Sequence, residues 1–158
     1  MANENYPTKE AIDAKFFYKD GVLYRKSSGK KAGNMHKLGY MRIWINGKSY
    51  YSHRLIFIMF HGYEPKFIDH IDGNPKNNKI ENLREAKHQE NMWNRKTPNT
   101  NKSGYKNVSW NKTAKKWSVT VTFNGKQKYC GVFDNLELAG LVAQEARHKH
   151  YGCFAMDF

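Results

Sequence analysis

Three two-residue turn signals restrict what this 158-residue chain can fold into more than any other feature. Asp20-Gly21, Asn46-Gly47 and Asn124-Gly125 each separate runs rich in β-branched and aromatic residues. Such pairs favour tight hairpins because both central residues tolerate positive φ. The spacing predicts strands over 16–18 and 22–25, over 40–45 and 49–52, and over 105–110, 117–123 and 127–133. In the run 117–123, alternation puts Trp117, Val119, Val121 and Phe123 on one face and Ser118, Thr120 and Thr122 on the other. Helices are predicted over 8–14 with Thr8 as N-cap, over 53–61 between Ser52 as N-cap and Gly62, where a buried strand is the other reading, and over 81–96, which lacks Gly and Pro. A last helix runs from an Asp134 or Asn135 cap to about Tyr151. Its stripe of Leu138, Ala139, Val142, Ala143 and Ala146 is mostly small and can lie close against a sheet. The expected fold class is α+β.

Charge then narrows the partners. The chain carries 27 Lys and Arg against 14 Asp and Glu, a formal net charge of +13, and such a field holds polyanions far better than neutral ligands. Its distribution is uneven: +7 over 1–60, +1 over 61–98 and +5 over 99–158. Basic flanks around a nearly neutral middle suit phosphate contacts on either side of a cation site. The loop 26–39, rich in Gly and Lys, is a further candidate to lie along a phosphate backbone. No apolar run reaches bilayer length and the first ten residues lack the pattern of a signal peptide, so a soluble, cytoplasmic protein with no membrane partner is expected. Cys130 and Cys153 form no C-x-x-C pair and read as free thiols.

The residues able to do chemistry gather over 66–96. Asp69 and His70 close a short apolar run just before the turn Asp72-Gly73-Asn74-Pro75, and Asn82 and Asn91 follow in the predicted helix. Cleaving a phosphodiester needs an activated water, a stabilised leaving oxygen and charge neutralisation between them. His70 can take the proton from water. The Asp69 carboxylate and the Asn91 side-chain oxygen are hard donors suited to one Mg²⁺ or Mn²⁺. Arg84 reads equally as a phosphate contact or as an ordinary surface arginine. His88, one turn before Asn91, is a runner-up ligand, whereas His53 and His61 read as structural. An EF-hand register fails, because Asn77 stands where its loop needs glycine.

Two resemblances complete the reading. Asp69-His70-Ile71-Asp72-Gly73-Asn74, with Asn77-Asn78, Glu81-Asn82-Leu83-Arg84 and Glu90-Asn91, resembles the HNH endonucleases, in the Asp-His variant of phage and intron homing enzymes. Ser52-His53-Arg54-Leu55 looks like the His-Arg-Leu stretch upstream of that motif. Ser103-Gly104-Tyr105-Lys106-Asn107-Val108, Lys116-Trp117, Gly131-Val132-Phe133 and Ala155-Met156-Asp157-Phe158 resemble the AP2 DNA-binding domain. The resemblance implies N-terminal hairpins leading into a ββα-metal nuclease domain over 1–96, a linker at 97–103, and an AP2-like three-stranded sheet with one helix over 104–158. It also implies that Asn82 ties the loop and so aims His70. The expected function is a site-selective, metal-dependent homing endonuclease that nicks double-stranded DNA or cuts both strands, as a monomer with a dimer left open and with no small-molecule cofactor; the alternative is a non-catalytic DNA-binding regulator. By alternation, Ser109, Ser118, Thr120 and Thr122 face DNA beside Lys106 and Lys128.

Overall fold

A computed structural model describes residues 6–37, 39–94, 97 and 100–155. The chain divides into two compact units, residues 1–87 and 88–158. Of the expected linker at 97–103, positions 98 and 99 lie outside the described residues, as do the last three of the C-terminal motif.

The first unit opens with helix α1 (Lys9–Lys15), where the Thr8 hydroxyl accepts from the Ala11 amide at 3.3 Å. Strands β1 (Phe16–Lys19) and β2 (Val22–Arg25) pair about Asp20 (φ 48°) and Gly21 (φ 80°). Strands β4 (Met41–Ile45) and β5 (Lys48–Tyr51) pair about Asn46 and Gly47, and a short strand β3 (Asn34–Met35), out of the loop read as irregular, adds to their edge. Helix α2 (Ser52–His61) follows at once and ends on left-handed Gly62. Tyr51, not Ser52, is its N-cap; Ser52 is buried inside the first turn, because β5 runs directly into the helix. Leu55 and Ile56 are wholly buried, and with Ile12, Phe16, Leu23, Ile43, Ile68 and Leu83 they form one core.

The largest correction concerns 81–96. In place of one helix, Ile80–Asn82 makes a 3₁₀ turn, β7 (Leu83–Glu85) pairs antiparallel with β6 (Ile68–His70), and helix α3 covers only His88–Trp93. Leu83 and Ala86 are buried by this arrangement. Local helix propensity is a fraction of a kcal/mol per residue, and burying a leucine contributes about 2 kcal/mol, so the strand pairing wins.

The second unit places β8 (Val108–Asn111), β9 (Lys116–Phe123) and β10 (Lys126–Phe133) in one antiparallel sheet, with β9 central. The first strand begins later than expected because Asn107 sits at φ 68°, outside the extended region. Helix α4 (Leu136–Tyr151) is capped by Asn135, whose Oδ1 accepts from the Leu138 amide at 2.8 Å. It buries Ala139, Gly140, Ala143, Arg147 and Tyr151, while Leu138 is exposed. The stripe is thus rotated from the one expected. A Cβ at Gly140 would lie 2.4 Å from the Tyr105 ring, so the helix must show that ring its smallest residue. Cys130 and Cys153 form no disulfide.

Candidate active site and nucleic-acid face

Strand β6 ends at the site. Asp69 and His70 are buried at 4% and 7% exposure, and the β6–β7 register sets Asp69 opposite Arg84. The guanidinium reaches back to Asp69 Oδ2, with Nε at 2.9 Å and a second nitrogen at 2.8 Å. A buried carboxylate would otherwise be costly, and Arg84 compensates it. His70 Nε2 stands 2.9 Å from Asn78 Oδ1. An amide oxygen only accepts, so Nε2 is the donor of this contact and the ring is held in orientation by it.

The loop that carries Asn78 is wound around two side chains. Asn82 Oδ1 accepts from the Asp72 amide at 3.0 Å, and its Nδ2 donates to Asp72 Oδ1 at 2.9 Å and to the Asn77 carbonyl at 2.8 Å. Asp72 also accepts from Asn77 Nδ2 and from the Asn74 amide. Burial opposes ionisation of Asp72, yet the bonds from Asn77, Asn74 and Asn82 and the nearby His70 hold its carboxyl below the usual range. From the far side, the first hairpin presses on the same loop. A Cβ at Gly21 would meet the Lys79 amide nitrogen at 2.8 Å, and the Tyr18 hydroxyl accepts from the Ile80 amide at 3.2 Å. A cleft of about 240 Å³, lined in part by Lys31, Ser52, Lys76 and Asn78, opens here.

Helix α2 contributes a residue that sequence reasoning set aside. His53 is 8% exposed and meets the His70 ring edge to face. Burial, with the neighbouring His70 and Arg54, lowers its pKa to about 3, so it is neutral. Tyr40 lies against both imidazoles. Arg54, beside it, turns the other way, to Glu64 and to the carbonyls of Pro65 and Lys66 at 3.0 and 2.9 Å. It thereby fixes the approach to β6. The signal for His53 lay in its place at the head of the upstream stretch; Asn78 had none beyond membership of an asparagine-rich loop.

In the second unit, Asn91 is half-buried and His88 exposed on α3. On the sheet, Ser109 is opposite Ser118, Tyr129 opposite Thr120, and Gln127 opposite Thr122, so these residues share the face away from α4. Lys128 pairs with Val121 and therefore points to the helix side, where its ammonium stands 3.2 Å from His150 Nε2. That corrects its expected outward position. The Lys106 ammonium donates to the Trp93 carbonyl. Tyr129, 62% exposed on the outer face, was missed.

Residues 50–93 match the family model for HNH endonucleases. Over 89 residues, 56% of this chain and 73% of the other, the protein is 47% identical to protein 3.8 of Escherichia phage T7. The chain belongs to the HNH endonuclease family. It is also similar to a solved structure of the HNH homing endonuclease I-HmuI, on DNA binding and cleavage, at 36% identity and a TM-score of 0.42. That match covers 49% of each chain, so the HNH protein described here spans about half the length of that relative. The matched HNH segment holds Asp69, His70, Asn82, Arg84 and Asn91, and also His53 and Asn78.

Among the described residues, no group of three or more His, Cys, Asp and Glu could hold a metal ion, and no helix is long and apolar enough to cross a membrane. A cation at this HNH centre would need amide oxygens beside the one buried carboxylate. Asp69 with asparagine oxygens is a hard donor set of the kind Mg²⁺ and Mn²⁺ accept, with room left for water.

Proposed function

We propose that the protein is a site-selective, divalent-metal-dependent DNA endonuclease of the homing type, working as a monomer. The observation that carries the reading is the Asp69–His70 pair, buried at the end of β6 and held by Arg84 on one side and Asn78 on the other. His70 is the general base and takes a proton from the attacking water. Asn78 and the Asn82-tied loop keep its ring from turning, which spares the reorganisation a mobile base would require. Asp69 and Asn91 are the ligands of one Mg²⁺ or Mn²⁺, which when bound neutralises phosphate charge and stabilises the leaving oxygen. Arg84, half-buried beside Asp69, holds that carboxylate in place.

The second unit selects the site. Its outer sheet face carries Ser109, Ser118, Thr120 and Thr122, with Tyr129 and Gln127 alongside, and short hydroxyls on a sheet can read base edges in a groove. The motif resemblance of residues 99–158 to AP2 domains favours the same assignment. One active site cuts one strand per engagement, so nicking is the expected outcome.

The test is incubation with supercoiled plasmid carrying the cognate site, with Mg²⁺, Mn²⁺ or EDTA. Relaxed circles with either metal and none with EDTA are expected. Intact plasmid in every lane, at protein concentrations that bind the DNA, would favour a DNA-binding regulator instead.

A further inference from the structure

Helix α3 presents Asn91, and its last residue carries, among the described residues, the most tightly stacked ring of its unit. The Trp93 indole lies nearly parallel to the Tyr151 ring, with centroids 4.5 Å apart and 6° between planes, and stacks on Phe123 at 5.5 Å and 20°. Tyr151 is fixed in turn. Its hydroxyl donates to the Thr122 carbonyl at 3.1 Å and accepts from the Thr122 amide at 3.3 Å, tying the end of α4 to β9. The Trp93 carbonyl accepts from the Lys106 ammonium, and the Lys106 carbonyl accepts from buried Arg147 at 2.9 Å. A helix of six residues cannot hold itself together in water, since nucleation outweighs what so few hydrogen bonds return. Its order must come from these tertiary contacts.

The boundary of the family match sharpens the point. The HNH segment ends at residue 93, yet the compact unit that contains α3 begins at His88 and continues to the end of the chain. Phe123, Lys106, Arg147 and Tyr151, which clamp α3, all lie beyond the matched segment. Sequence similarity assigns the helix to the nuclease, and packing assigns it to the C-terminal sheet and helix.

We infer that Trp93 is a positioning residue: by stacking on Phe123 and Tyr151 it makes the C-terminal unit the support of the helix that presents Asn91. This rests on reading Asn91 as a cation ligand, so the tests include measurements that do not need cleavage. In the full-length protein without metal, Trp93→Ala is expected to speed hydrogen exchange of the amides of 88–94 by at least tenfold. The amides of β6 and β9 should keep their protection, and Trp93→Phe should restore slow exchange. Mn²⁺ affinity, measured by electron paramagnetic resonance without DNA, is expected to fall about 10- to 100-fold in the alanine variant. Its kcat should fall while its KM for DNA holds. Unchanged exchange at 88–94 overturns the proposal, as does faster exchange with unaltered Mn²⁺ affinity and kcat. Should Trp93→Ala fail to fold, Tyr151→Leu in the same stack takes its place with the same expected readings, except at the Thr122 amide of β9, which loses its Tyr151 acceptor. Absence of cleavage by the unaltered protein would count against the nuclease reading, and the exchange and Mn²⁺ measurements would still decide the anchor.

Discussion

The His53 and His70 rings meet edge to face with centroids 5.1 Å apart. One imidazole is the candidate base and the other is its wall. With a pKa near 3 in the fold against about 6.5 in an unfolded chain, His53 stays neutral and adds no charge beside His70. The sign of the linkage follows. Above pH 6.5 both states are neutral at this residue and stability is undiminished. As pH falls from 6.5 towards 3, the unfolded chain takes up a proton that the fold refuses, and stability is lost. At roughly 1.4 kcal/mol per unit, the loss at the bottom of that window is on the order of 4–5 kcal/mol. Melting temperatures measured between pH 7 and 4 should drop in this range, and His53→Leu should flatten the slope. An unaltered slope in the variant would show that other groups set the acid sensitivity.

Replacing His70 by Ala removes the proposed base and leaves Asp69, Arg84 and the proposed DNA-binding face in place. Nicking should fall by about 10²-fold or more with DNA affinity little changed. Comparable nicking rates for the two proteins on supercoiled plasmid would sink the assignment.

The hairpins were readable because the Asn-Gly and Asp-Gly pairs act locally; Asp20 and Asn46 take positive φ where the sequence places them. The helix at 81–96 was misread for the opposite reason. Nothing between Glu81 and Glu85 announces a strand, and β7 exists because β6 offers it a partner and Leu83 a core. The same limit applies in the site. Asp69, His70 and Asn82 stand out by type and spacing, whereas Asn78 and His53 matter only through what the fold brings to them. Lys128 was legible and misassigned: a two-residue turn at Asn124-Gly125 pairs Phe123 with Lys126 and so Val121 with Lys128, which puts Lys128 on the inward face of Val121, and the irregularity between Tyr129 and Gly131 lies beyond it.

Gly21 makes a second test of how the site is supported. Its φ of 80° disfavours any side chain, and a Cβ would sit 2.8 Å from the Lys79 amide and 3.0 Å from the Asn78 carbonyl carbon. Gly21→Ala must therefore push the backbone that carries Asn78. A loss of about 1–3 kcal/mol in stability is expected from the strained backbone. Nicking should fall further than unfolding explains, because the hydrogen bond between Asn78 and His70 is displaced. Denaturation curves alongside nicking rates at a temperature where the variant is folded would separate the two effects. Wild-type activity in the folded variant would mean that Asn78 does not orient the base.

The outer face of the second unit makes the last prediction. Thr120 lies opposite Tyr129 there, and Ser118 opposite Ser109. Hydroxyl and aromatic groups read bases and carry no charge, so altering them should change sequence preference and leave the salt dependence alone. Thr120→Val and Tyr129→Ala should each shift preference among matched duplexes by about 1–3 kcal/mol at the affected position, with the slope of log K against log salt unchanged. Exposed lysines of the β8–β9 turn behave in the opposite way. Lys112→Ala and Lys115→Ala should weaken binding to all sequences alike and flatten the slope by about 0.9 for each phosphate that is no longer neutralised. Binding measured across a salt series on matched and scrambled duplexes decides between them. If Thr120 and Tyr129 variants keep full preference, the reading surface is not this face of the sheet, and the Lys- and Gly-rich loop at 26–39 becomes the next segment to alter.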